Sequence, residues 1–237
     1  MTLMTMTRTS AGRAQTAAPL TDDEKAAAGG ARALIVVDVQ NDFLPGGALA
    51  VPGGDEIIDT VNRLIAGFET VVLTADWHPA EHASFAASHP GRRPFETVRL
   101  DYGEQVLWPV HCVAGTPGAQ FARMLAADAA ALILRKGMHV SCDSYSGFLE
   151  ADRRTRTGLA GWLSDRGVTE VFVCGLALDF CVSATAVDAA REGFRTQVVL
   201  DASRPINADP ESLRRLEELW QEEGVGTVFS TELVHAA

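Results

Sequence analysis

Short apolar runs rich in β-branched residues recur along the chain at 33–39, 70–75, 131–135, 170–174, 196–201 and 226–230. They are apolar on both faces, which is the pattern of parallel strands covered by helices on either side. Between them the apolar period lengthens to that of a helix. Residues 55–68 place Ile57, Ile58, Val61, Leu64 and Ile65 on one face. Segment 157–166 stops at Gly167, 179–192 stops at Gly193, and 211–223 opens after Pro210 and stops at Gly224. Glycine just past a helix and proline at its first position are stop and start signals. Strands and helices in alternation predict an α/β fold: a doubly wound, mainly parallel six-stranded sheet with helices on both faces. Residues 79–117 predict no regular element, and so long a loop in a compact domain usually carries function.

Residues 31–237 read as one domain, without internal repeat or dividing linker. Residues 1–30 differ. They are rich in Thr, Ala and Met, carry no acid before Asp22 and lack apolar periodicity, so they read as a disordered extension. Arg8 and Arg13 give that segment only a faint organelle-targeting character.

A chain of 237 residues, 47% hydrophobic, can bury one sizeable core. No apolar run approaches the ~20 residues of a membrane span. The formal net charge of −11 argues against nucleic acid or an anionic membrane as partner. A small molecule is the expected partner, and assembly with further copies of the chain is compatible with the composition. The cysteines are Cys112, Cys142, Cys174 and Cys181, without C-x-x-C spacing or a secretory h-region. A reducing, cytoplasmic location is expected, with no disulfide framework.

In open α/β sheets, ligands bind beyond the carboxyl ends of the strands. There the predicted strands deliver Asp38, then Asp76 with His78, then Lys136, and finally the segment leading to Cys181. Cys181 falls in the first turn of a helix expected to start near Asp179. Free N–H groups there favour a thiolate, so a lowered thiol pKa and a nucleophilic role are expected. By itself a small buried cysteine is more often packing. Asp38 alone would be a loop cap, and Lys136 alone a snorkelling surface lysine. Their joint placement favours catalysis, with Asp38 moving the proton and Lys136 stabilising the thiolate.

Asp76 and His78, two residues apart at a strand end, face the same way and can reach one ion. His111, in the long loop, could close that site, and His82 is a fourth candidate. Carboxylate and imidazole ligands suit one divalent ion, Zn²⁺ first, with Fe²⁺ and Mn²⁺ as alternatives. His89, His139 and His235 have no such context.

Six separated motifs now converge: Asp38-Val-Gln-Asn-Asp-Phe43, Asp76-Trp-His-Pro79, the Trp108–Gly118 segment, Lys136-Gly137, Tyr145-Ser-Gly-Phe148 and the Gly175–Val182 segment. In this order they resemble the nicotinamidase (pyrazinamidase) branch of the isochorismatase-like cysteine hydrolases, from about Arg32 to the C-terminus. The resemblance implies hydrolysis of nicotinamide to nicotinate and ammonia through a cysteine thioester, with one divalent metal and no organic cofactor. It implies Asp38, Lys136 and Cys181 as catalytic residues and Asp76, His78 and His111 as metal ligands. His82 matches a position that ligates metal in some members only. Phe43, Trp108 and Tyr145 match aromatics that enclose the pyridine ring. Leu176-Ala177 matches a cis peptide, with the N–H groups of Ala177 and Cys181 as oxyanion hole. Phe180 stands where other members often carry histidine or another residue, and receives no role. The rival readings are a carbamoyl- or ureido-amidohydrolase of the same superfamily, which would generally lack the metal ligands, and a non-catalytic homologue that binds metal or ligand.

Overall fold

The computed structural model describes residues 30–233. The extension expected over 1–30 therefore lies, Gly30 excepted, outside the described residues. The strands are β1 (Ala31–Val37), β2 (Thr70–Asp76), β3 (Thr97–Leu100), β4 (Gly103–Val106), β5 (Leu132–Lys136), β6 (Val168–Leu176), β7 (Arg195–Arg204) and β8 (Gly226–Val228). Six of them form one sheet in the order β5-β2-β1-β6-β7-β8, and every neighbouring pair is parallel. The helices are α1 (Ile58–Gly67), α2 (Leu159–Ser164), α3 (Ser183–Arg191), α4 (Pro210–Glu222) and α5 (Ser230–Leu233).

The two-sided burial implied by the apolar runs is realised in β1. Leu34 and Val36 pack into one core with Ile57, Val61, Leu64 and Ile65 of the α1 region. Ala33, Ile35 and Val37 pack into a second core with Leu159 and Leu163 of α2, Ala186 of α3 and Trp220 of α4. The start of α4 follows its sequence signals: Asp209 accepts from the Glu211 and Ser212 N–H groups, and Pro210 occupies the first turn.

Two local readings are corrected. Residues 79–117 are not wholly irregular, because β3 and β4 form an antiparallel hairpin there. Its strands are four residues each and mostly half-exposed, so they carry no apolar run to find. The helix expected from Asp179 opens instead as a single π turn, Leu178–Val182, which leads into α3. Among the described residues, no helix is long and apolar enough to cross a membrane.

The topology fixes where a ligand would bind. From β1 the chain builds outward through β2 to β5, then returns to the other side of β1 with β6 and builds outward to β8. The order reverses between β1 and β6, and the crevice at such a switch point is the ligand site of open α/β sheets. Asp38 follows β1, and Cys181 follows β6.

Candidate active site

Asp76 and Lys136 are register partners at the ends of β2 and β5. Asp38 takes a left-handed φ of 49° directly after β1, a conformation in which non-glycine residues are uncommon and often functional. Its amide donates to the Thr74 carbonyl, and the Thr74 hydroxyl donates to Asp38 Oδ1 at 2.6 Å. On the other side of the switch point β6 runs hard against β1. A Cβ on Gly175, whose φ is +117°, would lie 2.1 Å from the Val37 carbonyl oxygen, so only glycine fits there. The Leu176-Ala177 peptide is cis, and the π turn then presents Cys181.

Lys136 is the hub. Its Nζ lies 2.8 Å from Asp38 Oδ2 and 2.5 Å from Asp76 Oδ1. It donates to the Ser144 carbonyl at 2.9 Å and reaches Cys181 Sγ at 3.4 Å. Burial works against the ammonium charge, but Asp38 and Asp76 outweigh it and hold the Lys136 pKa well above its ordinary value. Burial likewise opposes charge on Asp76, yet Lys136, His78 and His111 hold that carboxyl well below the usual range. Asp38 goes the other way. Burial raises its pKa, and the neighbouring Asp76 charge adds to the rise against the pull of Lys136. Asp38 Oδ2 is close enough to Lys136 to pair by charge, but no donor is aligned with it. That oxygen keeps a lone pair free for a proton.

The expected low-pKa thiol is not found. Burial raises the Cys181 pKa well above that of a free thiol; Lys136 opposes the rise, while Asp38 and Asp76 add to it. Helix N–H groups favour a thiolate in an exposed first turn, whereas Cys181 is buried and has both Asp38 and Asp76 close to it. Asp38 is then the neighbouring group placed to take the thiol proton. Phe180 and Val182 both donate to the Ala177 carbonyl, which ties the Ala177 peptide to the turn that carries Cys181. Backbone N–H groups beside a nucleophile can hold an oxyanion.

Asp76, His78 and His111 offer ligand atoms that all lie within 4.8 Å of one another. Nε2 of His78 is 3.5 Å and Nε2 of His111 is 3.8 Å from Asp76 Oδ2. Behind them, His78 Nδ1 donates to the Gly137 carbonyl at 2.9 Å, and His111 Nδ1 donates to the Pro109 carbonyl at 2.8 Å. A carbonyl only accepts, so Nδ1 carries the proton in each ring and Nε2 keeps its lone pair for a metal. Asp76 also pulls His78 towards its charged form against the effect of burial, a pull that a cation at Nε2 would satisfy. The donor set thus fits a divalent ion. Gly137 is required here, since a Cβ would lie 2.4 Å from the His78 ring.

His82 stands outside the set Asp76, His78 and His111, but with His78 and Asp143 it offers a second group of ligand atoms within 4.8 Å of one another. Its Nε2 donates to the Cys142 carbonyl at 3.2 Å and its Nδ1 meets the Ser84 hydroxyl at 2.7 Å. Both ring nitrogens are occupied, and the ring stacks behind His78 at 4.3 Å between centroids.

Phe43, Trp108 and Tyr145 line one narrow recess together with Asp76, His78, His111, Ala177 and Cys181. The sequence reading missed four contributors. Phe180 lines the recess and stands edge-on to Trp108 at 4.8 Å. Asp143 also lines it, held by Gln105 of β4. Gln40 clamps the Asp76 backbone, donating to its carbonyl and accepting from its N–H, each at 2.8 Å. Asp42 Oδ2 accepts from the Cys112 N–H at 2.7 Å and so fixes the loop beside His111. Gln40 and Asp42 stood in the motif after β1, where polar residues directly after an apolar run were the available signal. Among the other cysteines, Cys174 is core with its pKa raised by burial. Cys142 is pushed up to about 11 and neighbours Asp152, whose oxygens accept from Arg154 and Thr155 within its own turn.

Comparison with known proteins agrees with this geometry. A family model described as Isochorismatase domain matches residues 32–231. A nicotinamidase of Acinetobacter baylyi is 52% identical over 190 residues, covering 80% of this chain and 87% of that protein. The solved nicotinamidase/pyrazinamidase of Acinetobacter baumanii superposes with a TM-score of 0.83 at 54% identity, covering 85% of this chain and 97% of that one. A pyrazinamidase of Pyrococcus horikoshii, solved in complex with zinc, superposes with a TM-score of 0.68 at 40% identity, covering 84% of this chain and 98% of that one.

Proposed function

This chain belongs to the isochorismatase family, and from that premise we propose that it hydrolyses nicotinamide to nicotinate and ammonia through a thioester on Cys181. The observation that carries the reading is the meeting of Cys181 with Asp76, His78 and His111 on one aromatic recess. A carbamoyl or ureido amidohydrolase would need the thiol but not the metal ligands.

In the proposed mechanism the heteroaromatic ring enters between Phe43, Trp108 and Tyr145. Asp38 Oδ2 takes the thiol proton as Cys181 Sγ bonds to the carboxamide carbon. The carbonyl electron pair moves onto oxygen, where the Ala177 and Cys181 N–H groups hold it; one such donor can be worth ~3 kcal/mol. On collapse the carbon–nitrogen bond breaks, and Asp38 returns its proton to the departing nitrogen as ammonia leaves. Asp38 then deprotonates a water that attacks the thioester. The carbon–sulfur bond breaks, and the sulfur recovers the proton. As the first proton moves, negative charge leaves Asp38 and passes through the sulfur to the carbonyl oxygen. Lys136 touches Asp38 and Cys181, at 2.8 and 3.4 Å, so its ammonium steadies the charge as it leaves the carboxylate and crosses the sulfur.

A divalent ion held by Asp76, His78 and His111, Zn²⁺ by its fit to two imidazoles and a carboxylate, would supply a Lewis-acidic anchor facing the recess. One ion per chain is expected by elemental analysis. His111→Ala should lose most of it, and His82→Ala should retain it, because His82 is bonded elsewhere. Full occupancy in the His111 variant would remove that residue from the ligand set. The function itself is tested by ammonia release from nicotinamide by the purified protein, with and without a chelator. No release from the metal-replete protein would overturn the proposal.

A further inference from the structure

Proton transfer uses one oxygen of the Asp38 carboxylate, and the structure distinguishes the two. Oδ2 lies 2.8 Å from Lys136 Nζ but has no donor aligned with it. Oδ1 accepts from the Thr74 hydroxyl at 2.6 Å, the length of a charge-assisted O–H···O⁻ bond. The carboxylate and Cys181 Sγ approach within 4.8 Å of each other. Thr74 lies in β2 and is buried. It holds Asp38 a second time, because its carbonyl accepts from the Asp38 N–H at 3.2 Å; that backbone is the one bent to a φ of 49°. The far side of Thr74 fixes its own orientation. A Cβ on Gly147 would lie 3.3 Å from the Thr74 methyl, so the methyl seats against Gly147 while the hydroxyl faces Asp38. Thr74 does not line the recess and so touches no substrate.

We propose that Thr74 is the positioning residue of the general base: its hydroxyl pins Asp38 Oδ1 and so turns Oδ2, with its lone pair open, to the sulfur and the leaving nitrogen. The proposal rests on the reading of Asp38 as general base in amide hydrolysis, and adds the residue that aims it. The torsion that swings a carboxylate is broad and two-fold, so contacts alone decide which oxygen faces the reaction. Lys136 cannot decide it. An ammonium attracts either oxygen, and this one is shared with Asp76, the Ser144 carbonyl and Cys181. The Thr74 hydroxyl has one proton to give and gives it to one oxygen. Its loss would free the carboxylate to turn and would also make Asp38 a stronger base. The misplacement outweighs the gain, because an error of ~1 Å can cost ~10²-fold in rate, whereas added basicity is only partly expressed in the transition state.

The test compares Thr74→Val and Thr74→Ser with wild type in nicotinamide kinetics on the metal-replete protein, with thermal melts to establish that each is folded. Thr74→Val keeps the branched shape and removes the donor. It should lower kcat about ten- to a hundredfold, the worth of a hydrogen bond to a charged group, with little change in KM because Thr74 touches no substrate. Thr74→Ser keeps the hydroxyl and should retain most of the wild-type kcat. An unchanged kcat in Thr74→Val would overturn the proposal. So would a serine variant as slow as the valine one, which would assign the effect to the methyl and its packing. Thr74→Val added to Asp38→Asn should cost nothing further, since an amide takes no proton whichever way it faces. A full additional loss would show that Thr74 acts other than through Asp38 and would overturn its assignment. Where the valine variant fails to fold, Thr74→Ala replaces it: alanine and serine at 74 differ only in the hydroxyl, and the same outcomes apply. A wild type inactive on nicotinamide would instead overturn the substrate reading, and this proposal with it.

Discussion

Cys181→Ala is expected to lower kcat for ammonia release from nicotinamide by at least ~10³-fold, because the bond-forming atom is gone and no other group can take its place. The other cysteines are not substitutes. Cys112 and Cys174 are buried, with pKa values raised by burial, and neither lines the recess. The fold should survive. The substitution deletes one small buried atom group and its 3.4 Å contact to Lys136, while Lys136 keeps Asp38, Asp76 and the Ser144 carbonyl. A loss of about 1 kcal/mol in stability, typical of a single substitution, is expected. Steady-state ammonia release and circular dichroism melts are the readouts. Residual activity within about tenfold of the parent, far above what loss of a nucleophile permits, would remove Cys181 from the mechanism.

How the site could be read from sequence depends on the kind of residue involved. Asp38, Asp76 and Lys136 were legible because each ends an apolar run abruptly with a charge, and a parallel sheet gathers such ends on one edge. Gly175 and Gly137 stood in two of the motifs, but the Val37 carbonyl and His78 ring that forbid a side chain there were not legible. Gln105 was not legible. Its strand is four residues long, and only that one residue in it is buried, so no periodicity marks it. Phe180 had no signal of its own, since its role comes from Trp108 and Tyr145, distant in sequence. The state of the Cys181 thiol was misread for a related reason: local position suggested a stabilised anion, while burial and the carboxylates of two other strands decide it.

That distinction gives the second large effect. Asp38→Asn should lower kcat by ~10²–10⁴-fold, the usual worth of a positioned general base. The amide has nearly the shape of the carboxylate and can still meet the Thr74 hydroxyl, but it cannot take a proton from sulfur or return one to nitrogen. The same substitution should make the thiol more acidic. Asp38 is among the groups that raise the Cys181 pKa, whereas Lys136 opposes the rise. Removing the negative charge leaves Lys136 nearer to Cys181 in effect, so the thiolate fraction at a given pH increases. Alkylation by a small neutral reagent should then reach its half-maximal rate at lower pH than in the parent, while ammonia release falls. Lys136→Ala should shift the same alkylation profile to higher pH. A thiol that becomes easier to ionise in an enzyme that becomes slower would separate nucleophilicity from proton delivery and assign the latter to Asp38. If Asp38→Asn left the alkylation profile where it was, or shifted it upward, the charge relation between Asp38, Lys136 and Cys181 argued here would be wrong.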